Sequence, residues 1–276
     1  MAALNRVLGD ENSAGRYEGM AVRIRGNLTE RFWMQDHFAE YRSLEHGLID
    51  RHGLSDADWA AVAFGVATRE QESVLWPRLR DEKRFYYGGM PTGIVTEPEK
   101  YEAWEFSYPD SMDLAAMGRV WYLECQARAR MGDAAGLVES IRRVARVGRE
   151  SGYYWRERYT AKGGKGAQKY CEYPANLIRV VQRFLLGVDL RLDGSVFLSP
   201  TVTPEFWKHG FGHRLVWQNR VLDFRMRAGK VTGTYTGGEL MLGVRGAESA
   251  RVNGRKVRME MGLVTFPASC RFEIRV

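Results

Sequence analysis

Apolar positions recur at steps of three and four through the first two thirds of the chain and at steps of two in the remainder. In GDENSAGRYEGMAVRIRGNLTERFWMQ, Tyr17, Met20, Ile24, Leu28 and Phe32 fall on one helical face. Ser55 with Asp58 three residues on is a helix-capping signal; it opens LSDADWAAVAFGVA, and TREQESVLWPRLRDE continues the helical pattern until Pro77 interrupts it. Residues 84–111 hold Gly88, Gly89, Pro91, Gly93, Pro98 and Pro109, too many breakers for a regular element, and read as a long aromatic-rich loop. SMDLAAMGRVWYLECQARARM and AAGLVESIRRVARVGRE, divided at Gly132-Asp133, predict an antiparallel helical hairpin. A second loop, SGYYWRERYTAKGGKGAQKYCEYP, leads to a last apolar helix, ANLIRVVQRFLLGV. Beyond Gly187 the period becomes two, in SVFLSPTV, HRLVWQ, RVLDFRMR, KVTGTYTG, ELMLGVRG and RKVRMEM, and Asn253-Gly254 is a strong hairpin signal. The pattern predicts a multidomain α and β protein: helical hairpins over 1–187, then an antiparallel β-sandwich over 188–276.

Composition changes this picture little. With 45% hydrophobic and 27% charged residues, the 276-residue chain reads as globular rather than disordered. No apolar run is long enough to span a membrane and MAALNRVLGDENS lacks the features of a secretory signal, so the sequence reads as soluble and cytoplasmic, with no membrane partner. The formal charge of +7 lies mostly in 188–276, which carries 14 Lys/Arg against 8 Asp/Glu. There the basic residues alternate with apolar ones and form no consecutive run, as on solvated strand faces, so no nucleic-acid partner is expected.

Candidate chemistry narrows by elimination. Cys125, Cys171 and Cys270 are far apart, and His37, His46, His52, His209 and His213 make no ligand pattern, so no metal is expected. There is no phosphate loop or nucleophile elbow, KGGKG follows no apolar strand, and no cofactor is expected. Carboxylates beside aromatics remain, concentrated in the two loops: Trp104-Glu105 with Asp110, and Trp155-Arg156-Glu157-Arg158-Tyr159 with Glu172-Tyr173. Pyranose rings stack on Trp and Tyr while carboxylates accept hydroxyl hydrogen bonds or move protons, so such a set suits a sugar cleft. The competing structural reading is an ion pair of Glu157 with Arg156 or Arg158, which lowers its pKa and suits a base but not an acid.

Around GYYWRERY the chain resembles the C-terminal part of the six-hairpin, (α/α)6-barrel glycoside hydrolases, nearest to the bacterial α-L-rhamnosidase type. The resemblance rests on the order of PTG at 91–93, Trp155 to Tyr159, Tyr170 to Tyr173, FLLGV at 184–188 and the β region that begins LRLDGSVFLSP. It implies that Glu157 is the general base that activates water, with Trp155 and Tyr159 lining the cleft; Trp104, Arg158, Glu172 and Tyr173, from the same two loops, are the further candidates for binding substrate. It implies inversion at two carboxylates, the general acid coming from an earlier part of the barrel. Twelve helices of about 10–14 residues plus loops exceed what 1–187 holds, so half a barrel is expected, from a longer enzyme and inactive alone. In a complete enzyme, Asp36, Glu105 or Asp110 would be the acid. Where the family carries His-Tyr after the base, this chain has Cys171-Glu172-Tyr173-Pro174, which leaves the sugar undefined. An open half-barrel exposes an apolar face, so self-association or a missing N-terminal half is the expected partner. The alternative is a non-catalytic carbohydrate-binding or assembly protein; a polyanion-binding scaffold ranks behind both.

Overall fold

The structure is a computed structural model of the 276-residue chain; it describes every residue except 82, 87, 88, 91–93 and 161, and at 109–111 only the backbone. The PTG step at 91–93 and the side chain of Asp110 therefore lie outside the described residues. The chain divides into two compact units, one of residues 15–180 and one of residues 1–14 with 181–276.

After α1 (Ala2–Val7), α2 (Glu11–Arg31) runs from one unit into the other. Its predicted apolar stripe is not fully covered, with Met20 37% and Ile24 55% exposed. The short hairpin of β1 (Tyr41–Ser43) and β2 (Gly47–Ile49) precedes α3 (Asp56–Ala63). The Ser55 hydroxyl accepts the Ala57 N–H while the Asp58 carboxylate accepts the Ser55 N–H, the reciprocal cap that the sequence signals. Next, α4 (Arg69–Asp81) continues through Pro77 rather than stopping there. An interior proline costs about 3 kcal/mol, but Leu75, Trp76 and Leu79 are buried in the same turns and each offers roughly 1.5–3 kcal/mol, so tertiary burial outweighs the break.

The predicted helix from Ser111 starts later. Pro109–Leu114 is a 3-10 turn and β3 (Ala116–Met117) is extended, so α5 is Gly118–Arg130. It joins α6 (Ala134–Glu150) through a tight turn, where the Asp133 carboxylate caps the Gly136 N–H. The second loop holds more structure than its breakers suggest: β4 (Arg158–Thr160) pairs antiparallel with β3 and with β5 (Gly163–Lys165). Then α7 (Glu172–Val180) continues as a π-helical turn to Leu185. α3 packs on α5 and α5 on α7. The first turns of α5 and α7 meet, since the Arg119 N–H donates to Glu172, while Gln126 near the end of α5 donates to Ala63 at the end of α3. The three helices thus run parallel, with their N-termini at one end.

In the other unit, β6 (Val188–Leu190), β7 (Val196–Leu198), β11 (Leu240–Val244) and β14 (Leu263–Phe266) form a four-stranded sheet in the order β14-β11-β7-β6. A six-stranded antiparallel sheet, β13-β12-β15-β10-β9-β8, is built from β8 (Phe211–Trp217), β9 (Arg220–Arg227), β10 (Lys230–Thr236), β12 (Ser249–Val252), β13 (Arg255–Val257) and β15 (Cys270–Arg275). One apolar core contains residues of both sheets, among them Val196, Leu242 and Phe266 with Leu222, Phe224 and Ile274. The expectation of wholly antiparallel pairing fails at one place, where β7 pairs parallel with β11. Between them the chain passes through α8 (Pro204–His209) and three strands of the other sheet, a connection long enough to return it in the same direction. Asn253 and Gly254 both have positive φ, as a two-residue hairpin between β12 and β13 requires.

Candidate functional site

The N-terminal ends of α3, α5 and α7 bring together residues that are far apart in sequence. Gly118 makes the approach possible: a Cβ there would lie 2.9 Å from Glu172 Cγ and 3.2 Å from the backbone of residues 172 and 173. Glu172 Oε1 accepts the Arg119 N–H at 2.6 Å, so this carboxylate caps α5.

Glu157 lies just before β4, and Arg158 is paired with Met117, which leads directly into α5. The Glu157 side chain is 28% exposed; one oxygen accepts the Ala167 N–H at 3.1 Å and the other the Arg158 Nε–H at 3.3 Å. The Ala167 N–H, aided by Arg158 and by Arg119, holds the carboxyl below its ordinary pKa against a smaller effect of burial. Arg156 takes no part in that ion pair; its guanidinium reaches the Gly166 carbonyl at 3.4 Å. Arg158 is anchored by the Met112 carbonyl at 2.8 Å and lies over the Tyr108 ring.

The aromatic residues on either side of Glu157 in the chain, and Tyr173, pack inward. Trp155 is 4% exposed, donates its indole N–H to the Val144 carbonyl at 3.1 Å, and fills space that any side chain at Gly148 would occupy. The buried Tyr159 accepts the Arg156 N–H at 2.9 Å and meets Tyr173 edge-on. Tyr173 is fully buried with its hydroxyl unpartnered among the described residues.

A second cluster surrounds Glu105. Its carboxylate accepts the Tyr41 hydroxyl, the Arg51 guanidinium and the Glu102 N–H, with His52 Nε2 at 3.3 Å. Burial alone would raise its pKa, but these groups outweigh it and hold Glu105 low. Such a carboxylate suits an ion-pair anchor, not a proton donor. The other ring nitrogen of His52 bonds Glu40 at 2.7 Å, Tyr101 donates to Glu40 at 2.6 Å, and the His52 and Tyr101 rings stack. Trp104 is exposed, stacks on His46 and donates to Glu102. Asp36 pairs with His37 and Arg78 and is likewise held low.

Asp56, the first residue of α3, has the opposite character. Burial and the Glu40 charge push its carboxyl up to about 6, with Arg119 opposing. Arg119 thus acts on both Asp56 and Glu157; its side chain is exposed. Two carboxyls whose environments push their pKa values apart are the pattern of acid and base partners. Nothing local in the sequence singles out Asp56, because Glu40 and Arg119 reach it only through the fold.

No protein-family model and no curated protein matches the chain. Among solved structures it is similar to an α-L-rhamnosidase from Dictyoglumus thermophilum, with 10% identity and a TM-score of 0.57 over 100% of this chain. A sialidase gives 14% identity and 0.54 over 99%, and an α-L-rhamnosidase from Streptomyces avermitilis, solved with L-rhamnose, gives 13% and 0.50 over 99%. The chain spans only 30%, 25% and 25% of those three chains. At such identities the likeness is one of fold: the chain is built like part of those α-L-rhamnosidase and sialidase structures.

Proposed function

We propose that the chain is the C-terminal portion of an inverting glycoside hydrolase: residues 1–187 supply half of an (α/α)6 barrel and residues 188–276 a closing β-sandwich. The observation that carries this reading is the ionised, part-exposed Glu157 at the shared N-terminal end of α3, α5 and α7. Its low pKa suits a general base that takes a proton from water as the water attacks the anomeric carbon of a carbohydrate. The Ala167 N–H and Arg158 fix the orientation of that carboxylate, and the buried Trp155, Tyr159 and Tyr173 anchor the chain segments beside it. Trp104 offers an exposed ring to substrate, and Glu172 fixes the start of α5.

Inversion needs a second, protonated carboxyl. On this chain two carboxyls keep a proton at mildly acid pH, Asp56 with a pKa of about 6 and Asp58 with one of about 7. Asp58 is buried and taken up by the Phe38 and Ser55 N–H groups. That leaves the part-exposed Asp56 as the acid candidate, linked electrostatically to Glu157 by Arg119. In a longer parent enzyme the acid comes from outside this chain, and Asp56 then helps bind substrate. Glu105 is saturated by Arg51, Tyr41 and His52, which supports the second reading, a non-catalytic carbohydrate-binding protein, wherever no acid is supplied.

The test is hydrolysis of aryl glycosides by the full chain, followed by Glu157→Gln and Asp56→Asn. Glu157→Gln should lower turnover about 10²–10⁴-fold with binding retained. Asp56→Asn should remove the fall in rate above about pH 6. Unchanged turnover in Glu157→Gln removes the base from the mechanism, and calorimetric sugar binding without hydrolysis removes Asp56 as the acid, leaving an acid supplied by a longer parent or the second reading.

A further inference from the structure

The outer face of the six-stranded sheet concentrates the positive charge of the chain. Strand register places Arg275, Lys230 and Arg227 side by side on β15, β10 and β9. The next row runs Lys256, Arg251, Glu273, Thr232 and Arg225, ending at Gly212 on β8. A third row holds Arg271, Thr234, Asp223 and Arg214. All of the basic side chains are exposed, while their neighbours along each strand, such as Phe224, Met226, Val231 and Ile274, fill the core. Among the described residues this face carries eight basic and two acidic side chains, a surplus of six in a chain whose formal charge is +7.

A strand face built only for solubility mixes the two signs about evenly; this one sets eight cations against Glu273 and Asp223. The only acid near its centre, Glu273, is shared between Arg275 at 3.5 Å and Lys230 at 4.0 Å. Where cations lie on neighbouring strands, in Arg275-Lys230-Arg227 and Lys256-Arg251, they are about 4.8 Å apart, on the order of the advance per residue of an extended sugar polymer. Where β8 meets β9 lies an open hollow of about 460 Å³ bordered by Gly212, Arg214, Asp223 and Arg225. The three rows contain no aromatic side chain, so they offer no platform on which nucleobases could stack. The next row of this face, Val216, Val221 and Thr236, adds only two valines, too small an apolar patch to anchor in a lipid surface. Thr232 and Thr234 stand between the cations as hydroxyl partners.

We propose that this face binds an acidic polysaccharide, a polyuronate whose carboxylates lie along the rows of Arg and Lys. The site belongs to the β unit and does not depend on the catalytic reading of Glu157.

The experiment uses the full chain and polygalacturonate, by affinity electrophoresis and calorimetry, with methyl-esterified pectin, an oligothymidylate and phosphatidylserine vesicles in parallel. Polygalacturonate should bind, its methyl ester should not, and affinity should fall at least about tenfold between 50 and 200 mM salt. Replacing Arg225, Lys230 and Arg275 by Gln should weaken binding by about tenfold or more and flatten the salt dependence. Gln introduces no repulsion with Glu273, and an unchanged circular dichroism spectrum verifies the fold. Binding retained by Glu157→Gln separates this site from the helical unit. The proposal is overturned if polygalacturonate fails to bind at low salt, if oligothymidylate or vesicles bind as well as it does, or if the folded triple variant binds undiminished.

Discussion

Two glycine-to-alanine changes in the unit of residues 15–180 separate helix propensity from packing. Gly148 lies near the end of α6 and Gly19 in the interior of α2. In a helix interior, alanine is favoured over glycine by about 0.5–1 kcal/mol. At Gly19 an added Cβ meets nothing within 4 Å, so Gly19→Ala should stabilise by about that amount. At Gly148 the same methyl would lie 2.0 Å from Cζ2 of Trp155 and 2.6 Å from two further ring atoms. Carbon contacts prefer about 3.5–4.0 Å, so the indole must retreat by about 1.5 Å from a site where it is buried and tied to the Val144 carbonyl. Overpacking of this kind costs about 1–3 kcal/mol and the weakened hydrogen bond about 1 more. Packing outweighs propensity, and Gly148→Ala should destabilise by about 1–3 kcal/mol. Urea unfolding followed by circular dichroism reads both as shifts in midpoint at constant slope. A Gly148→Ala variant as stable as the parent would refute the reasoning that Trp155 is wedged against α6 at Gly148.

Tyr173→Phe removes a buried hydroxyl with no described partner and should leave stability unchanged or raise it by up to about 1 kcal/mol; a loss above that would mean the hydroxyl is bonded. Arg128→Met takes the guanidinium from the buried Glu124 carboxylate and should cost about 3–5 kcal/mol in the same assay, so a loss below 1 kcal/mol would contradict the buried pair. Glu105→Gln should destabilise by about 1–3 kcal/mol at neutral pH. The folded pKa of Glu105 is depressed, so its contribution is complete above the unfolded carboxylate pKa of about 4.3 and disappears as pH falls through the lower folded value. Parent and variant should therefore converge in stability in strong acid, and a constant difference down to pH 2 would count against this ion-pair anchor.

Much of the architecture was legible because its signals are local. The Ser55–Asp58 cap and the Asn253-Gly254 turn involve neighbours in the chain, and the alternation from 211 to 227 sorts core from solvent without knowledge of the partner strands. Element limits were less legible wherever a distant segment intervenes. α4 passes Pro77 because buried side chains on either side outweigh one lost hydrogen bond. α5 begins at Gly118 because β4 claims the residues before it and α7 abuts its first turn. The parallel pairing of β7 with β11 depends on a connection of more than forty residues.

The candidate site divides in the same way. Sequence pointed to Glu157 as a carboxylate beside arginines, and the geometry adds that Ala167 and Arg158, but not Arg156, hold its charge. Trp155 and Tyr159 were expected as cleft walls; only packing decided that their rings face inward. Asp56 was silent in the sequence because its proton affinity arises from burial and from Glu40, with Arg119 opposing, and the three groups meet only where α3 and α5 run side by side. Hydrophobic period and capping are properties of a few consecutive residues, so the chain determined by itself the change to period two beyond Gly187 and, along β9 and β10, which side chains face the core. A pKa, a hydrogen-bond partner or a row of charges across six strands sums over atoms far apart in sequence, and only the tertiary structure could decide them.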